Sequence, residues 1–351
     1  MAQFCALIPG VTGTVGKVLA RHLAGQPEWQ VIGVARRVPD EALPYPVIQL
    51  DLADRQACLG WQASFTEVTH ILYCARAAHV ASVKEPIEDN LAMLQNLLDA
   101  VEPVARDLRH THIVQGSKVY GSDLGPYRTP AKESDPRVPE HNWYYAQEDL
   151  LVERSRGQRW HWSASRPHGV CDPEPGVARS MPLMIGVYAA ISKELGLPLS
   201  FPGTAESFHS LYQSVDAMLL AQAIAWITTR PQCADQAFNV TNGDFIRWEN
   251  LWPGFAQCMG MPAGPVKTTR LSQWMADKAP VWEAIVKRHG LRPTPFSQAG
   301  VWSYADFNWQ REHDIMSDTL RLRQSGFHAC RDTGQMFLDM IGRLQRERWI
   351  P

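Results

Sequence analysis

The sequence lacks the features that mark several large classes of protein. Its formal net charge is -2, so it has no basic excess of the kind that binds nucleic acid or an anionic membrane, and we expect neither partner. No apolar run reaches the roughly 18 residues that a membrane-spanning helix needs. The amino terminus has no basic start and no small-residue cleavage site of the secretory kind. We therefore expect a cytoplasmic protein.

Closely spaced cysteines are also missing. The seven cysteines form no C-x-x-C pair and no zinc-finger spacing, and their number is odd. Disulfide frameworks and zinc sites need closer geometry, so we interpret these thiols as packing residues of a reduced compartment and predict no metal site. The positions are Cys5, Cys58, Cys74, Cys171, Cys233, Cys258 and Cys330.

The first half of the chain alternates short apolar runs with helical patterns. Such alternation is typical of parallel crossover units, and it predicts a Rossmann-type, doubly wound parallel α/β sheet over residues 1–172. Residues 173–351 lose the clean alternation, and we interpret them as a smaller, mainly helical substrate-binding region, partly woven back into the first sheet at about 205–245. The predicted strands cover 4–8, 30–34, 47–50, 69–74 and a fifth that begins at 112, and the clearest helices cover 14–24 and 90–101.

A glycine-rich turn joins the first predicted strand to the first helix. Gly10, Gly13 and Gly16 have the spacing G-x-x-G-x-x-G. The first two glycines permit a tight turn that approaches a pyrophosphate closely, and the third lets the helix pack on the strand while its N–H groups point at the anion. The sequence therefore predicts a dinucleotide site, with Thr12, Thr14 and Val15 beside the glycines.

The end of the second strand indicates which dinucleotide binds. An NAD enzyme usually has an Asp or Glu there, whereas this chain has Ala35, Arg36 and Arg37. Guanidinium groups suit the 2′-phosphate of NADPH, because they are permanently charged bidentate donors. We predict NADPH as the cofactor, with Asp51 and Leu52 after the third strand near the adenine. The alternative is a solvated arginine pair at a strand end.

The segment HNWYYAQEDLLVE (141–153) resembles the Y-x-x-x-K-x-x-x-E segment of extended short-chain dehydrogenases/reductases. Aligning the glutamate on Glu153 places the tyrosine at Tyr145 and Asp149 where that superfamily has its lysine. Gly116 stands at the usual catalytic serine position. Lys118 lies close by, in the segment after the fifth strand.

One family shares this replacement pattern. The chain is similar to the progesterone 5β-reductase/iridoid synthase-like family, and the similarity extends over nearly the whole chain. The matching segments are 33–37 (GVARR), 116–120 (GSKVY), 142–145 (NWYY) with Glu148 and Asp149, 166–167 (RP), 187–191 (VYAAI), 238–244 (FNVTNGD), 281–283 (VWE) and 350–351 (IP).

The resemblance implies NADPH-dependent 1,4-reduction of the activated C=C bond of a small-molecule enone or enal. Tyr145 and Lys118 fall on the catalytic positions of the family. Tyr145 would stabilise the developing enolate, and Lys118 would strengthen its acidity or hold the nicotinamide ribose. Pro167 and Tyr145 are expected to contact the cofactor. The sequence is compatible with a homodimer.

Four residues are predicted to line the substrate pocket: Arg76, Tyr120, Trp143 and Phe337. Arg76 stands where plant members have an aromatic residue, and it would favour a carboxylate-bearing or otherwise polar substrate, or bind a cofactor phosphate. Trp143 replaces a phenylalanine of the family. Phe337 aligns with a pocket aromatic, although a helix-packing aromatic is an equal interpretation.

Two rival functions remain open at the level of sequence. A carbonyl reductase would keep the cofactor and the tyrosine but deliver hydride to the carbonyl carbon. A non-catalytic NADPH-binding sensor or scaffold would explain the missing serine and helical lysine, although the retained tyrosine and Lys118 oppose it. A sugar-nucleotide epimerase fits less well, because it relies on both of the missing groups.

Overall fold

The computed structural model describes residues 3–77, 86–140, 142–172 and 179–351. Seven strands form one parallel sheet in the order β3-β2-β1-β4-β5-β6-β9, and β7 and β8 pair separately. The strands are β1 (Phe4–Pro9), β2 (Trp29–Ala35), β3 (Val47–Gln49), β4 (His70–Tyr73), β5 (His110–Val114), β6 (His161–Pro167), β7 (Val170–Cys171), β8 (Val215–Asp216) and β9 (Gln236–Val240).

The helices alternate with these strands in the first half and dominate the second half. They are α1 (Thr14–Ala24), α2 (Arg55–Gly60), α3 (Ile87–Val101), α4 (Trp143–Ser155), α5 (Met181–Glu194), α6 (Ala205–His209), α7 (Ala217–Thr229), α8 (Trp248–Cys258), α9 (Leu271–Trp274), α10 (Ala279–His289), α11 (Phe296–Ala299), α12 (Trp302–Trp309), α13 (Leu320–Gln324) and α14 (Thr333–Arg346). None of the described helices is long and apolar enough to cross a membrane.

The prediction of a doubly wound parallel sheet is confirmed. The α1 and α7 helices pack on one face through residues such as Leu19 and Leu220, and α2, α3 and α4 cover the other through residues such as Leu97 and Leu151. The strand order reverses between β1 and β4, and a sheet of this kind leaves a crevice at the carboxyl ends of those strands. The fold therefore positions a ligand site beside β1 and β4.

The second half returns to the first sheet through α7 and β9. β9 pairs in parallel with β6 and forms the outermost strand, and α7 packs against α1. The remaining helices surround a separate aromatic core. The division of the chain into units at residue 172 stays a prediction.

Phe337 belongs to that aromatic core. Its side chain is fully buried on α14, with its ring centroid 5.8 Å from those of Trp248 and Phe255. Edge-to-face packing of this kind stabilises the core and leaves the ring no contact with the cleft described below. The described lining of that cleft does not include Phe337, and its predicted place in the substrate pocket stays a prediction.

Candidate active site

A cavity of about 860 Å³ lies along the carboxyl ends of β1, β4, β5 and β6. One wall comes from the first half of the chain and the facing wall from α12 and the residues after it. Its lining includes residues 10 and 12–15, 34–36, 50–52, 74–77, 114–118, 143–144, 167–170, 179, 301, 303–304, 307–308 and 311. The volume is within the range of ligand and cofactor sites.

The glycine turn forms the floor of the cavity at the start of α1. Gly10 has a φ of +81°, and a Cβ there would lie 2.7 Å from the Ala75 backbone nitrogen, so only glycine fits. A Cβ on Gly16 would lie 2.3 Å from the Gly10 carbonyl oxygen, which explains why α1 packs so closely on the turn. Gly16 supports the turn from outside the cavity lining.

The amino terminus of α1 can accept an anion. Gly13 is the N-cap residue, and no side chain caps the first N–H groups of the helix. Gly13 lines the cavity together with Thr12, Thr14 and Val15. Uncapped helix N–H groups beside a close backbone turn suit a pyrophosphate, so this end of the cavity fits the diphosphate of a dinucleotide.

The end of β2 supplies the next part of the site. Ala35 and Arg36 line the cavity together with Asp51 and Leu52, which follow β3. Arg36 is exposed at the rim, where a ribose phosphate would meet it. Arg37 is also exposed, but among the described residues it is not part of the lining.

The two tyrosines at the start of α4 lie in different environments. Tyr144 lines the cavity, and its Oη lies 3.2 Å from the point where a Cβ on Gly116 would be. The glycine therefore makes room for the phenol at the position where related enzymes have a serine. Pro167 is close by, its carbonyl oxygen 3.6 Å from the same point.

Tyr145 faces the packed interior, so its prediction as the residue above the cofactor is wrong. It is 5% exposed and packs with Val119 in a small core. Its hydroxyl donates to the Val119 carbonyl at 2.5 Å and accepts from the Val138 amide at 3.1 Å. Burial raises the pKa of this phenol. Adjacent helix positions differ by about 100° around the axis, so a shift of one residue turns the side chain away from the cleft.

Lys118 lines the cavity on the same side as Tyr144. Its Nζ lies 3.6 Å from the Asp123 carboxylate. Asn142 connects the two segments, because its Oδ1 accepts from the Tyr144 amide at 3.0 Å and its Nδ2 donates to the Lys118 carbonyl at 3.2 Å. The structure thus brings Lys118 to the same cavity as Tyr144, and Tyr145 stays outside it.

Glu148 occupies the position four residues after Tyr144, where the superfamily has its lysine. Arg166 donates to Glu148 at 3.0 Å, Gln115 donates at 2.9 Å, and Arg137 donates to the other carboxylate oxygen at 3.0 Å. Burial alone would raise the pKa of Glu148, but the Arg166 charge and these hydrogen bonds outweigh it and the pKa is lowered. An ionised, fully paired carboxylate therefore replaces the usual ammonium.

Tyr120 belongs to this buried network. Its hydroxyl donates to Asn239 at 2.7 Å and accepts from Arg166 at 3.1 Å. Burial raises the pKa of Tyr120 to about 12. The described cavity lining does not include Tyr120, and its predicted place in the substrate pocket stays a prediction.

Arg76 and Trp143 lie on the cavity wall. Trp143 is almost fully buried, and its ring centroid is 4.0 Å from that of Tyr144. Arg76 follows β4, next to the segment 78–85, which lies outside the described residues.

Sequence reasoning missed several lining residues. His168 follows β6, and its Nδ1 lies 2.6 Å from the Ser117 hydroxyl. Tyr304 and Arg311 come from the second half of the chain, where no motif marks them. Only tertiary structure brings these side chains to the cleft. For Tyr144 the sequence did carry a signal, the tyrosine pair itself, without a means of choosing between its members.

Comparison with known proteins agrees with the geometry. The family model for the PRISE-like Rossmann-fold domain matches residues 58–350. An (S)-8-oxocitronellyl enol synthase from Antirrhinum majus is 32% identical over 99% of this chain and 93% of its own length. A 3-oxo-Δ(4,5)-steroid 5β-reductase from Arabidopsis thaliana is 33% identical, again over 99% of this chain and 93% of its own length.

Solved structures support the fold alone. A UDP-glucose 4-epimerase from Stenotrophomonas maltophila with bound NAD has a TM-score of 0.69 at 15% identity, covering 99% of this chain and 98% of the other. A short-chain dehydrogenase/reductase superfamily protein from Agrobacterium tumefaciens with bound NAD has a TM-score of 0.68 at 17% identity, covering 98% of both chains.

Proposed function

This chain belongs to the family of PRISE-like Rossmann-fold proteins, and from that membership we propose that it reduces the activated C=C bond of an enone or enal with NADPH. The protein is an oxidoreductase of the short-chain dehydrogenase/reductase superfamily. The observation that carries the finer proposal is the Tyr144 phenol, which lies in the cleft at the switch point of the sheet, beside Gly116 and in the cavity that Lys118 also lines.

The proposed reaction is a conjugate reduction. The reduced nicotinamide, when bound, would supply a hydride to the β-carbon, and water would then supply the proton that the α-carbon gains. Negative charge then develops on the carbonyl oxygen of the substrate, and an enzyme accelerates the step by binding that charge more strongly than the neutral carbonyl. Tyr144 provides the donor, because it lines the cavity and its phenol oxygen lies beside Gly116.

Lys118 supports Tyr144 electrostatically. An ammonium lining the same cavity favours the developing oxyanion and the ionised form of the phenol. The helix itself supplies no such charge, because Glu148 stands at the lysine position and is paired with Arg166. Asn142 holds the backbones of the two segments together through its two hydrogen bonds.

The preference for NADPH rests on Arg36. It lines the cavity at the end of β2, where Asp or Glu would accept the ribose hydroxyls of NAD. A guanidinium at this place favours a 2′-phosphate through charge-assisted hydrogen bonds.

The test is product analysis with purified protein and NADPH. The panel contains 2-cyclohexenone, methyl vinyl ketone, a linear enal, a Δ4-3-ketosteroid and simple aldehydes. The proposal expects consumption of NADPH with a saturated carbonyl as the product. An allylic alcohol would instead establish direct carbonyl reduction, and absence of turnover across the panel would contradict the assignment.

A further inference from the structure

Arg311 is a buried guanidinium on the far wall of the cavity. It is 9% exposed and lies just after the end of α12, the helix that carries Ser303 and Phe307. The same three residues line a neighbouring cavity of about 690 Å³. The guanidinium carbon lies 3.9 Å from the centre of the Phe307 ring. Arg311 therefore stands where the two cavities adjoin.

The hydrogen-bonding capacity of Arg311 is not fully used by the protein, although the Asp123 carboxylate acts on its charge. Its Nη1 atom is buried and has no hydrogen-bond partner among the residues that the structure describes. A buried polar nitrogen without a partner is costly, and folded proteins retain such a group where it serves a purpose beyond packing. Burial lowers the pKa of Arg311, yet a guanidinium stays charged at any physiological pH.

The cavity as a whole has an excess of positive charge. Its described lining contains a single carboxylate, Asp51, at the adenine end. Five basic side chains face the same space: Arg36, Arg76, Lys118, Arg179 and Arg311. The phosphates of a dinucleotide would meet Arg36 and the start of α1. An anionic group on the substrate would contact Arg311 on the far wall of the same cavity.

The surroundings of Arg311 suit a small anion. His168 is buried, its pKa is lowered to about 3 by burial and by the Arg311 charge, and it therefore stays neutral. Its Nε2 has no hydrogen-bond partner among the described residues, while its Nδ1 is engaged with Ser117. A neutral imidazole beside a guanidinium adds a hydrogen-bonding group without adding repulsion between charges.

We propose that Arg311 forms a carboxylate subsite, and that the natural substrate is an enone or enal that also carries a carboxylate. A planar guanidinium binds a carboxylate through two parallel hydrogen bonds. Lys118 lies near this wall, its Nζ 5.7 Å from the centre of the Phe307 ring, so the subsite adjoins the reacting groups. The inference rests on the proposed reductase function, and it adds the class of substrate.

The test compares two substrates of equal length. One is a linear methyl enone that ends in a carboxylate, and the other is the same chain ending in a primary amide. The quantity measured is the ratio of kcat/KM for the carboxylate to that for the amide, so a general loss of activity cancels. The variants are Arg311→Met and Arg311→Lys, with Arg346→Met on the exposed face of α14 as the matched control.

We expect the wild-type protein and the Arg346→Met control to prefer the carboxylate. Arg311→Met should reduce the ratio by about 10- to 100-fold, the range of a lost charge-assisted hydrogen bond, and Arg311→Lys should retain part of the preference. Because it removes a buried nitrogen that has no hydrogen-bond partner among the described residues, Arg311→Met should not lower the melting temperature. An unchanged ratio would overturn the subsite even if both enones are reduced, and would leave the proposed reductase function intact.

Binding by calorimetry separates the remaining outcomes. The saturated carboxylate product is titrated against each variant in the presence of NADP⁺, and NADP⁺ itself is titrated alone. If neither enone is reduced, the reductase function fails and the subsite is decided by loss of carboxylate binding in Arg311→Met. If Arg311→Met weakens NADP⁺ binding and leaves carboxylate binding unchanged, Arg311 holds a cofactor phosphate and the subsite is overturned.

Discussion

At the scale of single residues, the two adjacent tyrosines of α4 have different roles. Tyr144 lies in the cleft beside Gly116, whereas Tyr145 makes two buried hydrogen bonds with the segments at Val119 and Val138. One phenol is available to a ligand and the other holds the fold. Substitution by phenylalanine removes only the hydroxyl in each case, so each of the two variants serves as the control for the other.

Tyr144→Phe should lower kcat by about 100- to 1000-fold, because it removes the donor for the developing enolate. Tyr145→Phe should change kcat only a few-fold and should lower the free energy of unfolding by about 1 kcal/mol, the usual contribution of a buried hydrogen bond. Steady-state kinetics and urea denaturation measure both effects. A larger kinetic loss in Tyr145→Phe than in Tyr144→Phe would contradict the assignment.

Arg36→Ala should raise the KM for NADPH on the order of 10- to 100-fold and affect the KM for NADH much less, because only the former carries the 2′-phosphate. Arg37→Ala tests the second predicted arginine in the same assay, and its effect should be smaller because that exposed neighbour lies outside the described cavity lining. Kinetics with both cofactors provide the measurement. Equal losses with NADPH and NADH in Arg36→Ala would mean that the guanidinium does not recognise the phosphate.

Sequence could place the site but not every side chain in it. The roles of the glycine turn, Arg36 and Lys118 follow from their residue types and from their positions after predicted strands, so a sequence pattern can identify them. The choice between Tyr144 and Tyr145 depends on the rotation of a helix, which two adjacent identical residues do not reveal. Arg311 and His168 reach the cleft only through the tertiary fold.

At the scale of elements, α4 is positioned by its first turn. Asn142 caps the helix through the Tyr144 amide and reaches across to the Lys118 carbonyl. The cap therefore fixes the start of the helix that carries the phenol, and the same side chain ties that helix to the lysine segment.

Asn142→Ala should remove both contacts, lowering the free energy of unfolding by about 1 kcal/mol and lowering kcat because Tyr144 is less firmly placed. Asn142→Asp keeps the capping oxygen and loses only the donor to Lys118. If the cap is what matters, the aspartate variant retains stability and most of kcat. Equal losses in the two variants would assign the effect to the Lys118 contact instead.

The strands show where residue patterns predict structure and where they do not. The predicted strand at 4–8 and helix at 14–24 agree with β1 and α1, because apolar runs and helical spacing are strong there. β6 was missed because its buried positions include polar side chains. Ser163 and Ser165 in β6 form hydrogen bonds with His112 in the neighbouring strand β5. The buried polar groups of β6 are therefore satisfied within the sheet, and its sequence lacks the apolar run that would predict a strand.

At the scale of the whole molecule, buried histidines make the fold sensitive to acid. His110 and His112 lie in the central sheet and share the Ser163 hydroxyl, each at 2.7 Å. Burial lowers the pKa of His112 to about 3 and that of His70 to about 4, and burial lowers the pKa of His110 as well. These side chains stay neutral in the folded protein at pH values well below the ordinary pKa of histidine.

Stability should therefore fall as the pH drops from about 6.5 towards 4. In that interval the unfolded chain takes up protons on these histidines and the folded chain does not, so protonation favours unfolding. At pH 5 a histidine with a folded pKa near 3 destabilises the fold by on the order of 2 kcal/mol.

Urea midpoints at pH 7.5, 6 and 5 measure this dependence. His289→Gln, on the exposed end of α10, should leave the profile unchanged, and a buried variant, His112→Asn, should flatten it if it folds. A wild-type profile that is flat between pH 7 and pH 5 would contradict the prediction.

The position of Trp143 should make the intrinsic fluorescence of the protein sensitive to cofactor binding. Its indole lines the cleft against Tyr144, and reduced nicotinamide absorbs light where indole emits. Bound NADPH should therefore quench the emission of this tryptophan by energy transfer, and Trp143→Phe should remove that part of the quenching. Cofactor occupancy can then be followed by fluorescence without a substrate.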